Sequence, residues 1–501
     1  MTSGGGLSGA APSSPASARM VIALIVAVAV ATRIVSWWNP VPHVDDQFYL
    51  LAGEELLGGH WPYVDVWDRK PLGLFLIYAG IAAVGGGGML AFNLVTTAFA
   101  AATAWLIRGM ALRFASATSA TLAALAYLLF LPLFGGQNGQ SPIFYNLLMA
   151  GAASLLFAAS DLPDAGAIRR RAMVAMLLCG LSMTIKQVSF VEGGYFGLAF
   201  LWLVRRQGER TIALAITAAV MVAIALLPTA VALGGYALAG PAALHDFFYA
   251  NFISIFQRTS WDWKARVAGF AYFLLFLLPL LVMAFLGARK RWQDGRRRAA
   301  DSALLLGWLV AAILGYCSVP AFFDHYVLPL LVPICVSAAT FFDRASRWPF
   351  FAAIVAYALF QGSILDLRVN RNDAREFARL SAAVDQARRG GCIYVADGPT
   401  RLYSSTGACT LTRYLFPDHL NLITEYQAVG VDTAVELALV FRERPAVIVA
   451  KDRKRGRYAR SSEALLSRTL KNDYRLVYRL PDDAPSRLNG IQLWQRRDLA
   501  R

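Results

Sequence analysis

Between Met20 and about Leu365 the chain alternates long apolar runs with short polar breaks. A helix needs ~20 apolar residues to cross the hydrocarbon of a bilayer, at ~1.5 Å rise per residue. Backbone groups inside lipid must be paired within the segment, so these runs are read as membrane helices. The pattern gives eleven spans: 20–38, 89–107, 116–134, 143–160, 172–189, 190–204, 211–233, 267–287, 302–319, 327–342 and 350–365. The first ends in Trp37-Trp38, an interfacial pair, and is read as an uncleaved anchor. The apolar segment 71–84 has only fourteen residues before the glycines at 85–88. A helix of that length rises ~21 Å against ~30 Å of hydrocarbon, so it is expected to lie in the interface or re-enter.

Past residue 365 the pattern changes period. Strand-like runs appear at 392–397, 445–452, 475–480 and 491–495, with helix-like stretches near 371–389 and 460–472. The expected fold class is mainly α: a polytopic membrane protein with interfacial helices in its first exterior loop, 39–88, plus a small extracytoplasmic α/β domain over 366–501. Residues 1–19, a Gly/Ser/Pro/Ala tail, are expected to be a disordered cytoplasmic segment, and 20–365 the membrane domain.

Composition refines this picture. The chain is 57% hydrophobic and 16% charged, with a formal net charge of +16. Such a balance fits nucleic-acid binding only if the charge forms a patch, and here it does not. Sixteen Lys and Arg fall in the breaks 108–113, 169–171, 205–210, 289–298 and 344–347, against five in the breaks on the other side. The positive-inside rule puts the sixteen in the cytoplasm, with the N-terminus. Loop 39–88 and the C-terminal domain then face the periplasm of a bacterial inner membrane, or the exterior. Cys179, Cys317 and Cys335 lie in apolar spans and read as small core residues. Cys392 and Cys409 are placed to form a disulfide if their domain is outside the cytoplasm.

The densest chemistry is HVDDQFYLLAGEELLGGHWPYVDVWDRKP at 43–71. Asp45 and Asp46 stand just past the first span. A carboxylate near a low-dielectric surface can take a proton from a hydroxyl; the alternative is that one of them caps a helix over 47–57. Tyr63, Asp65, Trp67 and Asp68 alternate aromatic and acidic side chains, which suits sugars and equally suits an interfacial belt. Arg69 and Lys70 suit a phosphate at the lipid surface, or snorkel to headgroups. Lys186, with Gln187, lies at the outer end of a span against the charge bias; pairing with Glu192 is its structural alternative. Asp324, His325 and Tyr326 occupy a short exterior loop, too few ligands for a metal site. No P-loop, dinucleotide fingerprint, CxxC pair or nucleophile elbow is present.

The arrangement resembles the GT-C superfamily of integral-membrane glycosyltransferases. It is most similar to the branch that uses polyprenyl-phosphate sugars: protein O-mannosyltransferases, aminoarabinose transferases acting on lipid A, and related lipopolysaccharide sugar transferases. The matched pattern is an acidic pair after the first span, G-x-x-P-Y-x-D, a K-P turn into a short apolar helix, Lys186-Gln187, and His325-Tyr326 before a Pro-rich span. The resemblance implies an inverting transfer of a sugar from a polyprenyl-phosphate donor to a hydroxyl of a glycan, glycolipid or protein acceptor. Asp45 matches the family's base, and Lys186, with Lys70, Arg69 and His325, would meet the charge of the leaving phosphate. It implies membrane lipid as a partner, and no nucleic acid. Two departures stand out. Asp46 replaces a frequent Glu, and loop 135–146, GGQNGQSPIFYN, lacks the acidic residue many relatives carry, with Gln140 or Asn146 in its place. The second departure favours a mechanism with no metal or other cofactor. Competing readings are a lipid-linked glycan flippase and a pyrophosphate-dependent glycan polymerase or ligase.

Overall fold

The computed structural model describes residues 15–85, 88–259, 262–293, 299–318, 322–362, 364–451 and 458–500. Among the described residues, the regular elements of the membrane domain are helices. Its elements are α1 (Pro15–Ala31), α2 (Val44–Leu57), α3 (Leu72–Ala82), α4 (Met89–Ala111), α5 (Ala117–Phe130), α6 (Ser141–Ala159) and α7 (Ala165–Met183). There follow α8 (Phe190–Arg206), α9 (Thr211–Ala239), α10 (Pro241–Phe248), α11 (Trp263–Gln293), α12 (Ala299–Ser318), α13 (Leu331–Ala338) and α14 (Trp348–Gln361).

Among the described residues eight helices are long and apolar enough to cross a membrane: α1, α4, α5, α6, α8, α9, α11 and α12. The protein is a multi-pass membrane protein. The other three expected spans are also helical: α7, with three arginines in its second turn, and the shorter α13 and α14. Pro15–Arg19, expected in the tail, instead open α1, because the Ala- and Ser-rich sequence lets the helix run back from its apolar stretch. The rest of the expected tail, 1–14, lies outside the described residues.

Interhelical packing depends on small residues, since apolar side chains gain nothing by leaving lipid for one another. A Cβ on Gly180 of α7 would sit 2.3 Å from the Ala225 carbonyl oxygen of α9, so the two backbones touch there. Gly53 does the same for α2 against α3, where a Cβ would meet Tyr78 backbone at 2.6 Å. α3 has eleven residues, a rise of ~17 Å. It buries Leu74, Phe75, Tyr78 and Ile81, packed along α2.

The C-terminal domain holds α15 (Leu367–Arg388), β1 (Ile393–Val395), α16 (Arg401–Thr406), α17 (Asp418–Asn421), α18 (Thr433–Arg442), β2 (Val447–Lys451), α19 (Arg460–Asp473), β3 (Tyr474–Arg479) and β4 (Ile491–Arg496). The strands form one sheet in the order β1-β2-β4-β3. β1 and β2 are parallel, with Tyr394 beside Ile448, and β4 is antiparallel to both β2 and β3. α15 covers the sheet with an apolar face that includes Phe377, Leu380 and Val384. Cys392 and Cys409 form a disulfide.

This domain is seated on loop 39–88. Phe416 packs edge-on to Phe48 of α2, and His419 to Trp67. Arg401 reaches Glu54 at 2.9 Å, Arg413 reaches Asp246 at 2.7 Å, and Trp67 N–H donates to Arg413 O at 2.8 Å. One hydrophobic cluster runs from the membrane helices into the domain.

Candidate active site

α2 begins at Val44, earlier than expected, and neither aspartate caps it. His43 is the N-cap: its Nδ1 accepts from Asp45 N–H at 3.2 Å. Asp45 and Asp46 occupy the first turn, where the helix dipole favours a carboxylate. Their side chains then part. Asp45 faces a group of cations and polar side chains. Its Oδ2 lies 3.4 Å from Gln140 Nε2 and 3.8 Å from His43 Nδ1. Burial pushes its carboxyl up, but His43, Lys70, His325 and the Gln140 bond outweigh this and hold it at about 2. Asp45 is thus an anion, surrounded by donors.

Asp46 turns inward and is 1% exposed. Its partners are Gly139 N–H at 3.4 Å and the Tyr78 hydroxyl at 3.3 Å. Burial raises its carboxyl to about 7. Gly139 must be glycine, because a Cβ would collide with Phe92 and Tyr78 at 2.4 and 2.5 Å. Asp46 therefore ties α2 to α3 and to loop 135–140.

Lys186 sits between α7 and α8 and is 7% exposed. Its Nζ lies 4.0 Å over the Tyr326 ring and has no hydrogen-bond partner. The pairing with Glu192 is not made: Glu192 is turned into the bundle, where Trp308 Nε1 donates to it at 2.9 Å. Lys186 and Tyr326 line a cavity with Tyr145, Ser189, Glu192 and Tyr316, and the Tyr316 hydroxyl is likewise buried without a partner. An orphaned lysine amine and an orphaned hydroxyl in one cavity suit an anionic ligand, which would favour the amine's charged form. Burial first, then the repulsion of Lys70 and Arg258, holds the Lys186 amine well below the usual lysine range, and the attraction of Asp45 opposes them. The Arg258 guanidinium lies 5.7 Å over the Phe323 ring, which packs edge-on to the Tyr326 ring.

His325 packs between Phe323 and Tyr326, 6.5 Å from the His43 ring, and Asp324 Oδ1 accepts from its backbone N–H at 2.7 Å. Burial lowers its imidazole to about 4, so the ring is neutral near pH 7. The structure thus brings Asp45, Lys70, Lys186, His325 and Tyr326 together.

The remaining expected residues build the loop. Tyr63 is fully buried against Phe75, Tyr236 and Phe247, and its hydroxyl donates to Lys70 O at 2.8 Å. Asp65 accepts from Trp61 N–H at 2.7 Å, and Asp68 from Arg69 and Lys70 N–H, closing turns that fix both cations. Trp67 is covered by Tyr414 and His419 of the C-terminal domain. Gln187 Nε2 donates to Arg69 O at 3.4 Å and Asn251 O at 3.2 Å. Arg69 turns from the cavity to Glu425 at 2.5 Å. Of the two candidates for the missing acidic position, Gln140 stands beside Asp45, whereas Asn146 donates to Leu328 O at 3.0 Å.

Glu425 is the residue the sequence did not single out, since ITEYQAVG around it carries no motif, and Arg258, read from the sequence only as part of an amphipathic interfacial element in loop 234–266, is placed at the site by the fold. Among the described residues no group of three or more His, Cys, Asp or Glu is placed to hold a metal ion.

No protein-family model matches the sequence, and no curated protein matches it. Solved structures do. ArnT from Cupriavidus metallidurans, bound to undecaprenyl phosphate, superposes with a TM-score of 0.63 over 95% of this chain and 98% of that one, at 14% identity. Its apo form gives the same values. The chain thus has the ArnT-type (GT-C) fold. The Archaeoglobus fulgidus oligosaccharyltransferase in complex with Zn and sulfate is also similar, with 10% identity and a TM-score of 0.48 over 86% of this chain and 68% of that one. The GT-C fold here includes the C-terminal domain, since the match to ArnT covers nearly the whole of both chains.

Proposed function

We propose that this protein transfers a sugar from a polyprenyl-phosphate donor to an acceptor hydroxyl on the non-cytoplasmic face of the membrane. One observation carries the reading. In a GT-C fold, an ionised aspartate and a partnerless buried lysine share a cationic site. The undecaprenyl phosphate bound to ArnT supports the donor class. The Cys392–Cys409 disulfide fits an oxidising compartment, which supports the side of the membrane.

The lipid phosphate takes the cavity, held by Lys186, Arg258 and Tyr326, with Lys70 beyond. Asp45 accepts the proton of the acceptor hydroxyl as its oxygen attacks the anomeric carbon. The bond from that carbon to the phosphate oxygen breaks, the electron pair leaves on the phosphate, and the anomeric centre inverts. The cations meet the charge that develops on the leaving group. A phosphate binding Lys70 and Lys186 also relieves the positive field that depresses Asp45 and makes it a stronger base. Asp46 holds α2 and loop 135–140 and touches no reacting atom. No metal enters this scheme.

The test is release of undecaprenyl phosphate from a panel of undecaprenyl-phosphate sugars by purified protein. Asp45→Asn should slow release by ~10²–10⁴-fold and leave donor binding intact. Full activity in that variant would sink the assignment. Passage of the lipid-linked sugar across vesicles with no bond broken would favour a transporter instead.

A further inference from the structure

Glu425 belongs to the C-terminal domain, yet it is buried beneath the membrane domain's loops and is 3% exposed. Its Oε1 lies 2.7 Å from Arg258 Nη2 and its Oε2 2.5 Å from Arg69 Nη2. Among the described residues no other carboxylate lies within 4.0 Å of either guanidinium. The surrounding segment is pinned in place. Ser254 Oγ donates to Ala428 O at 2.5 Å and accepts from Arg69 Nε at 3.3 Å. Gly430, at φ +79°, lets the Tyr249 ring approach where a Cβ would stand 2.7 Å from it. Burial opposes a charged Glu425, but the two arginines outweigh it and hold the carboxyl at about 2.

Arg258 has two sides. One nitrogen is held by Glu425, while the guanidinium lies 5.7 Å over the Phe323 ring, itself packed edge-on to Tyr326, whose ring covers Lys186. Arg69, Lys70, Lys186 and Arg258 are four cations gathered where water is largely excluded. Left alone they repel one another, and flexible arginines would turn outward. A carboxylate shared between two of them keeps the empty site assembled, and rigid orientation is what converts charge into affinity for a phosphate.

We infer that Glu425 is a positioning residue of the donor site: from the C-terminal domain it fixes Arg258 beside the cavity of Lys186 and Tyr326, braced by Arg69 on its other oxygen. The inference rests on the reading of that cavity as the lipid-phosphate site. It makes the C-terminal domain part of donor recognition rather than an appendage.

The test is equilibrium binding of undecaprenyl phosphate to the full-length protein in detergent, with steady-state kinetics alongside. Glu425→Ala should weaken binding about tenfold and raise KM for the lipid-linked sugar, with kcat within about threefold. Glu425→Gln, which can accept from one arginine only, should fall between it and the unaltered protein, and serves if the alanine variant does not fold. In an Arg258→Ala background the same changes should alter affinity less than twofold, since the group being positioned is gone. A purely structural role would weaken both backgrounds alike, and that result overturns the inference. So does equal or tighter binding by the Glu425 variants, which would make Glu425 a competitor of the phosphate. If Lys186→Ala abolishes binding while Glu425 variants bind normally, the cavity reading stands and this one falls. If the unaltered protein fails to bind undecaprenyl phosphate, both fall.

Discussion

Asp46 offers a sharp test of how the acidic pair divides its work. The Tyr78 hydroxyl stands 2.8 Å from the Gly139 carbonyl oxygen and 3.3 Å from Asp46 Oδ1. It has one proton, and the carbonyl can only accept, so the shorter bond takes it. The contact with Asp46 is then best satisfied by a proton on Oδ1, donated to the tyrosine oxygen, while Oδ2 accepts from Gly139 N–H. Burial agrees, raising the carboxyl to about 7. The unfolded chain has a carboxyl near ~3.9. The folded state therefore binds the proton more tightly, and this group's contribution falls as pH rises from ~4 to about 7, then levels off. A difference of ~3 units corresponds to ~4 kcal/mol. With an unfolding entropy of ~2.1 cal/mol/K per residue over 501 residues, that is ~4 °C in Tm.

Asp46→Asn places an amide N–H where the acid proton stands and keeps the acceptor for Gly139. Thermal unfolding in detergent, scanned from pH 4.5 to 8, should show the Tm of the unaltered protein falling relative to the variant by ~3 °C, most of the full effect. Transfer activity of the variant should stay within about threefold. Parallel Tm curves would refute the protonation argument. Loss of transfer as deep as that of Asp45→Asn would return Asp46 to the chemistry.

Gly180→Ala should lower Tm, at a cost of ~1–3 kcal/mol for overpacking, because its methyl meets the α9 backbone; Gly234→Ala, with nothing within 4 Å of the new carbon, should be neutral or slightly stabilising. Cys392→Ser should destabilise the C-terminal domain by ~3 kcal/mol for a loop of this size, closed across 17 residues, and dithiothreitol should reproduce the loss in the unaltered protein; equal unfolding curves with and without reductant would contradict it.

Much of the site was legible because its chemistry is local. The DD pair, the RKP turn, Lys186 against the charge bias and the His-Tyr loop are each recognisable within a few residues. Burial was not legible. Tyr63, Trp67 and Asp68 read as sugar ligands by type, yet their rings and carboxylate are consumed in folding the loop and seating the C-terminal domain. The cap on α2 went to His43 instead of an aspartate, since its Nδ1 reaches Asp45 N–H and leaves the carboxylate free. Glu425 gave no signal, and Arg258 only that of an interfacial loop, because neither has a nearby partner in the chain.

The sequence by itself determined the class: apolar runs of membrane length, since unpaired backbone in lipid is too costly for anything but helices, and a change of period after residue 365 that announces a sheet. Only the tertiary structure decided which charges meet. Glu425 joins Arg69 and Arg258 across 356 and 167 residues of chain, and Asp45 and Asp46, neighbours in sequence, end in opposite surroundings. Successive residues on a helix point ~100° apart, so a single step along α2 separates an anion among cations from an acid in the core.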